Sequence, residues 1–364
     1  MTIIPKIRTS HQWLDLLASR STVIASLDLK ASLPNIIYEV EGTNKSVNAD
    51  ALNFANCSIH TERLLGAFRS LEATGCPPIV LEKLVKDLVG RNTYGTVCEL
   101  GAYAILNEAG LNFSPQVAMT GAEILNPNGA ELDGCFRFPD EVYFDIKAFG
   151  FHDRLLETLR DRLSSEFQDN FIQISGGIHF STTMVNDLLS HGFSSLVSDI
   201  RKYKYTTRES LKFLLKAKKR IQITPIELNF KKLAENNSNY PFSYAKQFTR
   251  SAPFLLIFIL HPWFSGSILT SNFAGGTDRF MRAFGQATFN NVSTMIAPNT
   301  TFQVCQAAPL LSGMLFFNFW SGVTDSPQSG HYLLLNPHAK FPLPSTVITA
   351  LEQSFSASLT TICV

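Results

Sequence analysis

The chain has 364 residues, 45% hydrophobic and 17% charged, with a formal net charge of +1 and 29 phenylalanines. That is enough chain for one large domain or two ordinary ones, with a core dominated by aromatic packing. It argues against disorder and against nucleic-acid binding through bulk positive charge, so any phosphate-binding surface has to be local.

Six cysteines (57, 76, 98, 135, 305 and 363) are scattered without a C-x-x-C pair. Zinc is therefore not expected, and a reducing, cytoplasmic setting is. The first ten residues carry early charges and no apolar h-region, so no signal peptide is expected. The longest apolar run, 252–260, is too short to span a bilayer and reads as a buried strand.

Residues 1–90 read as an N-terminal mixed or helical region. It holds a short helix near 11–19, strands at 22–29 and 36–40, and helices at 59–73 and 78–89, with Pro77-Pro78 as a start and Gly90 as a stop. Residues 91–364 read as the main domain. Its first segment, 97–106, is helical and apolar on every side except for Glu99, and Gly110 closes it. The first core strand is expected at 113–119, followed by a turn at Asn126-Pro127-Asn128-Gly129.

Two apolar runs follow, 130–138 with Asp133 and 142–149 with Asp145 and Lys147, joined by Pro139, Asp140 and Glu141 as a hairpin turn. Strand alternation puts Asp145 and Lys147 on one face, roughly 6–7 Å apart at their Cα atoms. An antiparallel pair brings Asp133 beside Asp145, and Glu99 arrives from the preceding helix. An ionised side chain taken out of water costs several kcal/mol unless it is paired or bound to a metal. These carboxylates therefore ask for a shared partner, and oxygen ligands suit a hard ion such as Mg²⁺. An Asp28-Leu29-Lys30 triplet provides a contrast: it has no acidic strand before it and reads as an ordinary strand end.

Further on, 152–167 reads as an amphipathic helix and 171–175 as a short strand. Residues 180–235 read as a basic, mostly helical insertion. From Arg201 to Arg220 nine Lys/Arg face one acid, Glu209, with Tyr203 and Tyr205 interleaved. Lys212, Lys216 and Lys219 share a helical face at i, i+4, i+7, and together with Arg201, Lys202, Lys204 and Arg208 they are the candidate phosphate contacts. A helix at 240–250 would deliver Lys246 and Gln247 ahead of the buried strand 253–260. Gly275-Gly276-Thr277-Asp278 opens another helix as a plain N-cap. Strands at 310–319 and 331–335 and one helix within 346–364 complete the chain. Dinucleotide, P-loop and nucleophile-elbow motifs are absent, and among the histidines only His179 invites attention.

Glu99 on a helix, then Asp133, then Asp145-Ile146-Lys147 resembles the PD-(D/E)xK nuclease superfamily, whose fold is restriction-endonuclease-like. Leu132 stands where that family often has proline, and the motif residues span about 99–149. The resemblance implies an α/β fold, a central mixed β-sheet flanked by helices. To that core this chain would add an N-terminal extension and a helical insertion. It implies that Asp133 and Asp145 hold the metal, that Lys147 assists the attacking water, and that Glu99 adds a metal contact or supports one. The expected function is a Mg²⁺-dependent endonuclease acting on DNA phosphodiesters, with Mn²⁺ able to substitute, a restriction or defence role suggested by the family, and a homodimer where both strands are cut. Lys246 or Gln247 would support the site. The alternatives are a non-catalytic nucleic-acid-binding protein on the same fold, or a phosphoesterase acting on RNA or nucleotides.

Overall fold

A threonine starts the first helix. Thr9 Oγ1 accepts the Gln12 N–H while the Gln12 amide returns a bond to the Thr9 backbone, so α1 (Ser10–Ala18) opens on a complete capping box. The computed structural model describes the whole chain apart from residues 1–5, 39–47, 91, 138–139, 151–152, 177–181, 210, 218–228, 262–264, 266–268, 270–274 and 320–329.

Ser21 caps α2 (Thr22–Ser26), which overturns the strand expected over 22–29. The hydroxyl stops a short apolar run from entering a sheet, and Asp28 then turns the chain at φ 44°. The neighbouring Lys30 pairs with Asp15 of α1 at 2.8 Å. Within the described part of 36–40, the expected strand is a single bridge from Ile37 to Thr9. Helices α3 (Ala49–Ala55), α4 (Ser58–Ala73), α5 (Pro78–Val89) and α6 (Thr93–Glu108) follow. Proline in the first turn opens α5, and Gly110 at φ 69° ends the chain's run through α6.

A seven-stranded mixed sheet forms the centre, in the order β1-β2-β3-β7-β8-β9-β10. β1 (Phe113–Met119), β2 (Ala130–Arg137) and β3 (Glu141–Phe149) form an antiparallel meander. Glu141, expected in the turn, is the first residue of β3 and pairs with Arg137; Pro139 lies outside the described residues. β7 (Phe254–Leu260) joins β3 in parallel, β8 (Gly313–Asn318) joins β7 in parallel, and β9 (His331–Leu335) runs antiparallel to β8. The tail holds the expected helix and adds a strand beyond it. After the helix Ser345–Phe355 the chain adds β10 (Leu359–Cys363) parallel to β9, where Thr360, Thr361 and Ile362 are β-branched and Ile362 is buried.

Every residue of β7 is buried, as a central parallel strand requires. Leu255, Ile257 and Ile259 face α3 to α6, whereas Leu256, Phe258 and Leu260 face a second core. That core is closed by α10 (Phe230–Asn236), a 3₁₀ segment Tyr240–Gln247 and α11 (Gly276–Phe289). Phenylalanine dominates it: Phe149 meets Phe258, Phe280, Phe284 and Phe316 edge-on, at ring separations of 5.0–6.0 Å. The segment expected as a helix over 240–250 is instead the 3₁₀ segment Tyr240–Gln247, with Pro241 in its first turn. Each of the six cysteines carries a free thiol. No helix among the described residues is long and apolar enough to cross a membrane.

The crossover from β3 to β7 carries a separate small layer. Helices α7 (Asp153–Glu166), α8 (Thr182–Leu189) and α9 (Phe193–Tyr203) cover one side of a three-stranded antiparallel sheet, in the order β4-β6-β5. Its strands are β4 (Asn170–Gly176), β5 (Tyr205–Arg208) and β6 (Leu211–Ala217). This corrects the mostly helical insertion: beyond Tyr203, Tyr205–Arg208 and Leu211–Ala217 pair as antiparallel strands. Leu211, Phe213 and Leu215 alternate with Lys212 and Lys216, and β6 bonds β4 on one side and β5 on the other. Two lysines four residues apart share a face in a strand as well as in a helix. Lys204 at φ 61° and Glu209 at φ 46° make the turns that the helical reading lacks.

Candidate active site

The central hairpin builds the site. Gly134 pairs with Phe144, so the row one step further sets Asp133 opposite Asp145, as the alternation predicts. The backbone ladder stops at that row. Asp133 Oδ2 instead accepts the Ile146 N–H at 2.6 Å, a side chain standing in for a ladder partner. On the other side of β2 the ladder with β1 also skips Asp133, opposite Gln116, which sits at φ 53°. The close approach of β2 to β3 just before the gap needs a glycine, because a Cβ on Gly134 would lie 2.3 Å from the Phe144 ring.

Asp145 and Lys147 share the face of β3 that carries Leu256 and Phe258 alongside them on β7. Lys147 Nζ lies 2.6 Å from Asp145 Oδ2 and 3.7 Å from Asp133 Oδ2. The side chain of Asp145 is 1% exposed, against 18% for Asp133 and 22% for Lys147, so water reaches the cluster from the Asp133 and Lys147 side. The Asp145 carboxyl interacts with both Lys147 and the Asp133 side chain. Tyr244, from the 3₁₀ segment, places its ring 5.6 Å from the Lys147 ammonium.

Glu99 approaches from α6, on the other side of the sheet. Tyr103, one turn later, has its hydroxyl 2.9 Å from Glu99 Oε1 and 2.6 Å from the Asp133 carbonyl oxygen. Gln116 donates to Glu99 Oε1 and, at 3.3 Å, to the Tyr103 hydroxyl, while its own carbonyl accepts from Lys83 Nζ at 2.6 Å. Lys83 also pairs with Glu131. The four predicted residues therefore meet in one continuous network. Tyr103, Gln116, Tyr244 and Lys83 belong to it and were not picked out from the sequence.

Electrostatics sorts the acids. Burial pushes Glu99 well above the usual carboxylate range, the Asp133 charge adds to this, and the Tyr103 bond, Lys83 and Lys147 only partly offset it. The hydroxyl geometry points the same way. A phenol has one proton, and the Asp133 carbonyl can only accept, so a proton on Glu99 lets both contacts form at once. Burial and Asp133 also raise Asp145, with Lys147 opposing. Burial works against the Lys147 ammonium, but Asp145 and Asp133 outweigh it and hold it above the usual lysine range.

Three acids face one ammonium, so the cluster is rich in negative charge unless one of the raised carboxyls, Glu99 or Asp145, holds a proton. A proton or a cation can supply the balance. The residues fit Mg²⁺ in part: it takes one or two carboxylates and fills the rest of its shell with water and substrate phosphate. Asp133 Oδ1 and the Asp145 carboxylate would hold it. Tyr103 and Gln116 both engage Glu99 through Oε1, and Tyr103 ties that oxygen to the Asp133 backbone carbonyl. Among the described residues no three His, Cys, Asp or Glu side chains are gathered around one such point.

The remaining expectations are met unevenly. Lys246 and Gln247 lie on the 3₁₀ segment, but its contact with Lys147 comes from Tyr244. Arg201 is committed to Glu166 at 2.8 Å and Arg208 to Asp199 at 2.6 Å. Lys202 lies 4.8 Å from the Tyr203 ring, Lys204 and Lys212 are exposed, and Lys216 is half-buried. Lys219 and His179 lie outside the described residues. No family model, no curated protein and no solved structure matches this chain.

Proposed function

We propose that the Asp133–Asp145–Lys147 cluster is the active site of a Mg²⁺-dependent endonuclease that hydrolyses DNA phosphodiesters. One observation carries the reading: the buried Asp145 carboxylate and the half-open Asp133 flank a single ammonium, at 2.6 and 3.7 Å, at the row where the sheet ladder breaks. A divalent cation bound there would acidify a water and neutralise charge on the phosphate.

The chain's own groups do the rest. Asp133 is fixed by the Ile146 amide and, through its carbonyl, by Tyr103. Lys147, partly exposed, can swing its ammonium from the aspartates towards a phosphate oxygen and stabilise the charge that builds there. Glu99 acts behind Asp133 as a positioning residue and holds a proton that keeps the cluster from carrying two excess negative charges. Phosphates along the substrate would meet Lys202, Lys204, Lys212 and Lys216.

The test is incubation of the purified protein with plasmid, linear duplex and single-stranded DNA, with and without Mg²⁺ or Mn²⁺. The reading expects metal-dependent products that Asp145→Asn and Lys147→Ala abolish. Equal products from both variants would defeat it. A second reading, nucleic-acid binding without turnover, draws on the same 2.6 Å contact, since Lys147 already neutralises Asp145. It expects no cleavage and no metal-induced rise in melting temperature.

A further inference from the structure

The small sheet of the β3–β7 crossover has two unlike faces. Ile172, Leu211 and Phe213 are buried against the helices on one side. Cα partners across a ladder point the same way, so the register assigns the other face. Phe171 stands beside Lys216, Gln173 beside Leu214, and Leu214 beside Tyr205. On that face the outer strands meet solvent, with Phe171 38% exposed and Tyr205 46%, while Gln173 in the Tyr205 row is 7% exposed.

Its charge has one sign. Lys212 and Lys216 lie on it, and among the described residues its strands contribute no acid to it. Arg201 pairs with Glu166 and Arg208 with Asp199, and the one acid of the hairpin, Glu209, stands in the turn between β5 and β6. At the edge, Tyr203 is 59% exposed with Lys202 against its ring.

The spacing selects a ligand. Phe171 and Tyr205 are on the two outer strands, two strand spacings apart and offset by two residues along the sheet. Strand spacings of about 4.8 Å and a rise of about 3.3 Å per residue root their rings roughly 12 Å apart. Bases in a duplex are stacked about 3.4 Å apart, with their flat faces covered. Rings this far apart can be capped only by bases splayed from an extended strand, with lysines between them for the phosphates.

We propose that this face of the β4-β6-β5 sheet binds single-stranded nucleic acid, with bases stacked on Phe171 and Tyr205 and phosphates held by Lys212 and Lys216. The proposal rests on the nuclease reading only for the class of ligand. It would deliver an unpaired strand through the crossover that links β3, which carries Asp145, to β7.

The test uses the full chain in chelator, so that no cleavage is needed, with fluorescein-labelled dT12 read by anisotropy beside a 12-base-pair duplex and an rU12 arm. The expected result is tighter binding of either single strand than of duplex. Phe171→Ala and Tyr205→Ala should each weaken it by at least about five-fold. Tyr205→Phe should restore it, and Lys212→Ala should flatten the salt dependence by about 0.7 in the log–log slope. Matched circular-dichroism melts confirm that the variants fold. Unchanged dT12 affinity in the folded double variant Phe171→Ala/Tyr205→Ala overturns the proposal, as does preference for duplex or a change of oligomeric state in place of a change in binding. Metal-dependent cleavage without this binding would defeat the platform and spare the nuclease reading. Binding without cleavage would do the reverse.

Discussion

The Ile146 backbone amide donates to Asp133 Oδ2 at 2.6 Å, so a side chain completes the sheet at the row where β2 and β3 stop pairing. Asp133 thus has two duties that substitution can separate. Asp133→Asn keeps an acceptor for Ile146 and loses the charge. Asp133→Ala leaves a buried amide unpaired, at about 1–3 kcal/mol. In urea unfolding the alanine variant should be less stable than the asparagine variant by that margin, and both should lose metal-dependent cleavage. Equal stability of the two would contradict the bond's role.

Glu99 predicts a pH signature. Its folded-state pKa is raised by burial and by Asp133, so folding takes up a proton at this group. The associated stability is fully present below the ordinary carboxylate range and is lost as pH rises through the raised value. Between those limits the unfolded state binds fewer protons, and stability falls by about 1.4 kcal/mol per pH unit. Glu99→Gln keeps the shape and has no proton to lose. Unfolding free energies from pH 5 to 8 should therefore fall less steeply in Glu99→Gln than in the wild type. Parallel curves would show Glu99 ionised throughout.

Lys147 is the cation of a buried pair, and removing it strands Asp145. Lys147→Ala should cost about 3–5 kcal/mol near pH 8. Asp145, already raised by burial and Asp133, then rises further, so the loss should shrink on acidification as the carboxyl takes a proton. Asp145→Asn in the same background should return part of the stability. A double-mutant cycle with no coupling between the two positions would contradict the pairing.

Gly134 is a packing prediction. A methyl group there meets the Phe144 ring at 2.3 Å and forces β2 and β3 apart beside Asp133. Gly134→Ala should destabilise by about 1–3 kcal/mol. Cleavage should fall further than the loss of folded protein accounts for, as the Asp133–Asp145 row shifts.

The hairpin and its acids were legible because alternation with period two fixes which residues share a face, and that rule survives without a partner sequence. Tyr103 and Gln116 were not legible. Tyr103 looks like any apolar position on a buried helix, and Gln116 gains its role from a φ of 53° and from standing opposite Asp133, facts of register and not of pattern. The lysine stretch misled for a physical reason: Lys212 and Lys216 satisfy both periods, and only the turns at Lys204 and Glu209 decide between them. In 22–29 the deciding residue was a single cap, Ser21, ahead of a run too short to declare its own period.

Metal-dependent cleavage by the purified chain tests the central claim most directly. With single-stranded DNA or plasmid, wild-type protein should give products in Mg²⁺ and none in chelator, and folded Asp145→Asn should give none in either. Absence of cleavage by well-folded wild-type protein across Mg²⁺ and Mn²⁺, or undiminished cleavage by Asp145→Asn, would contradict it.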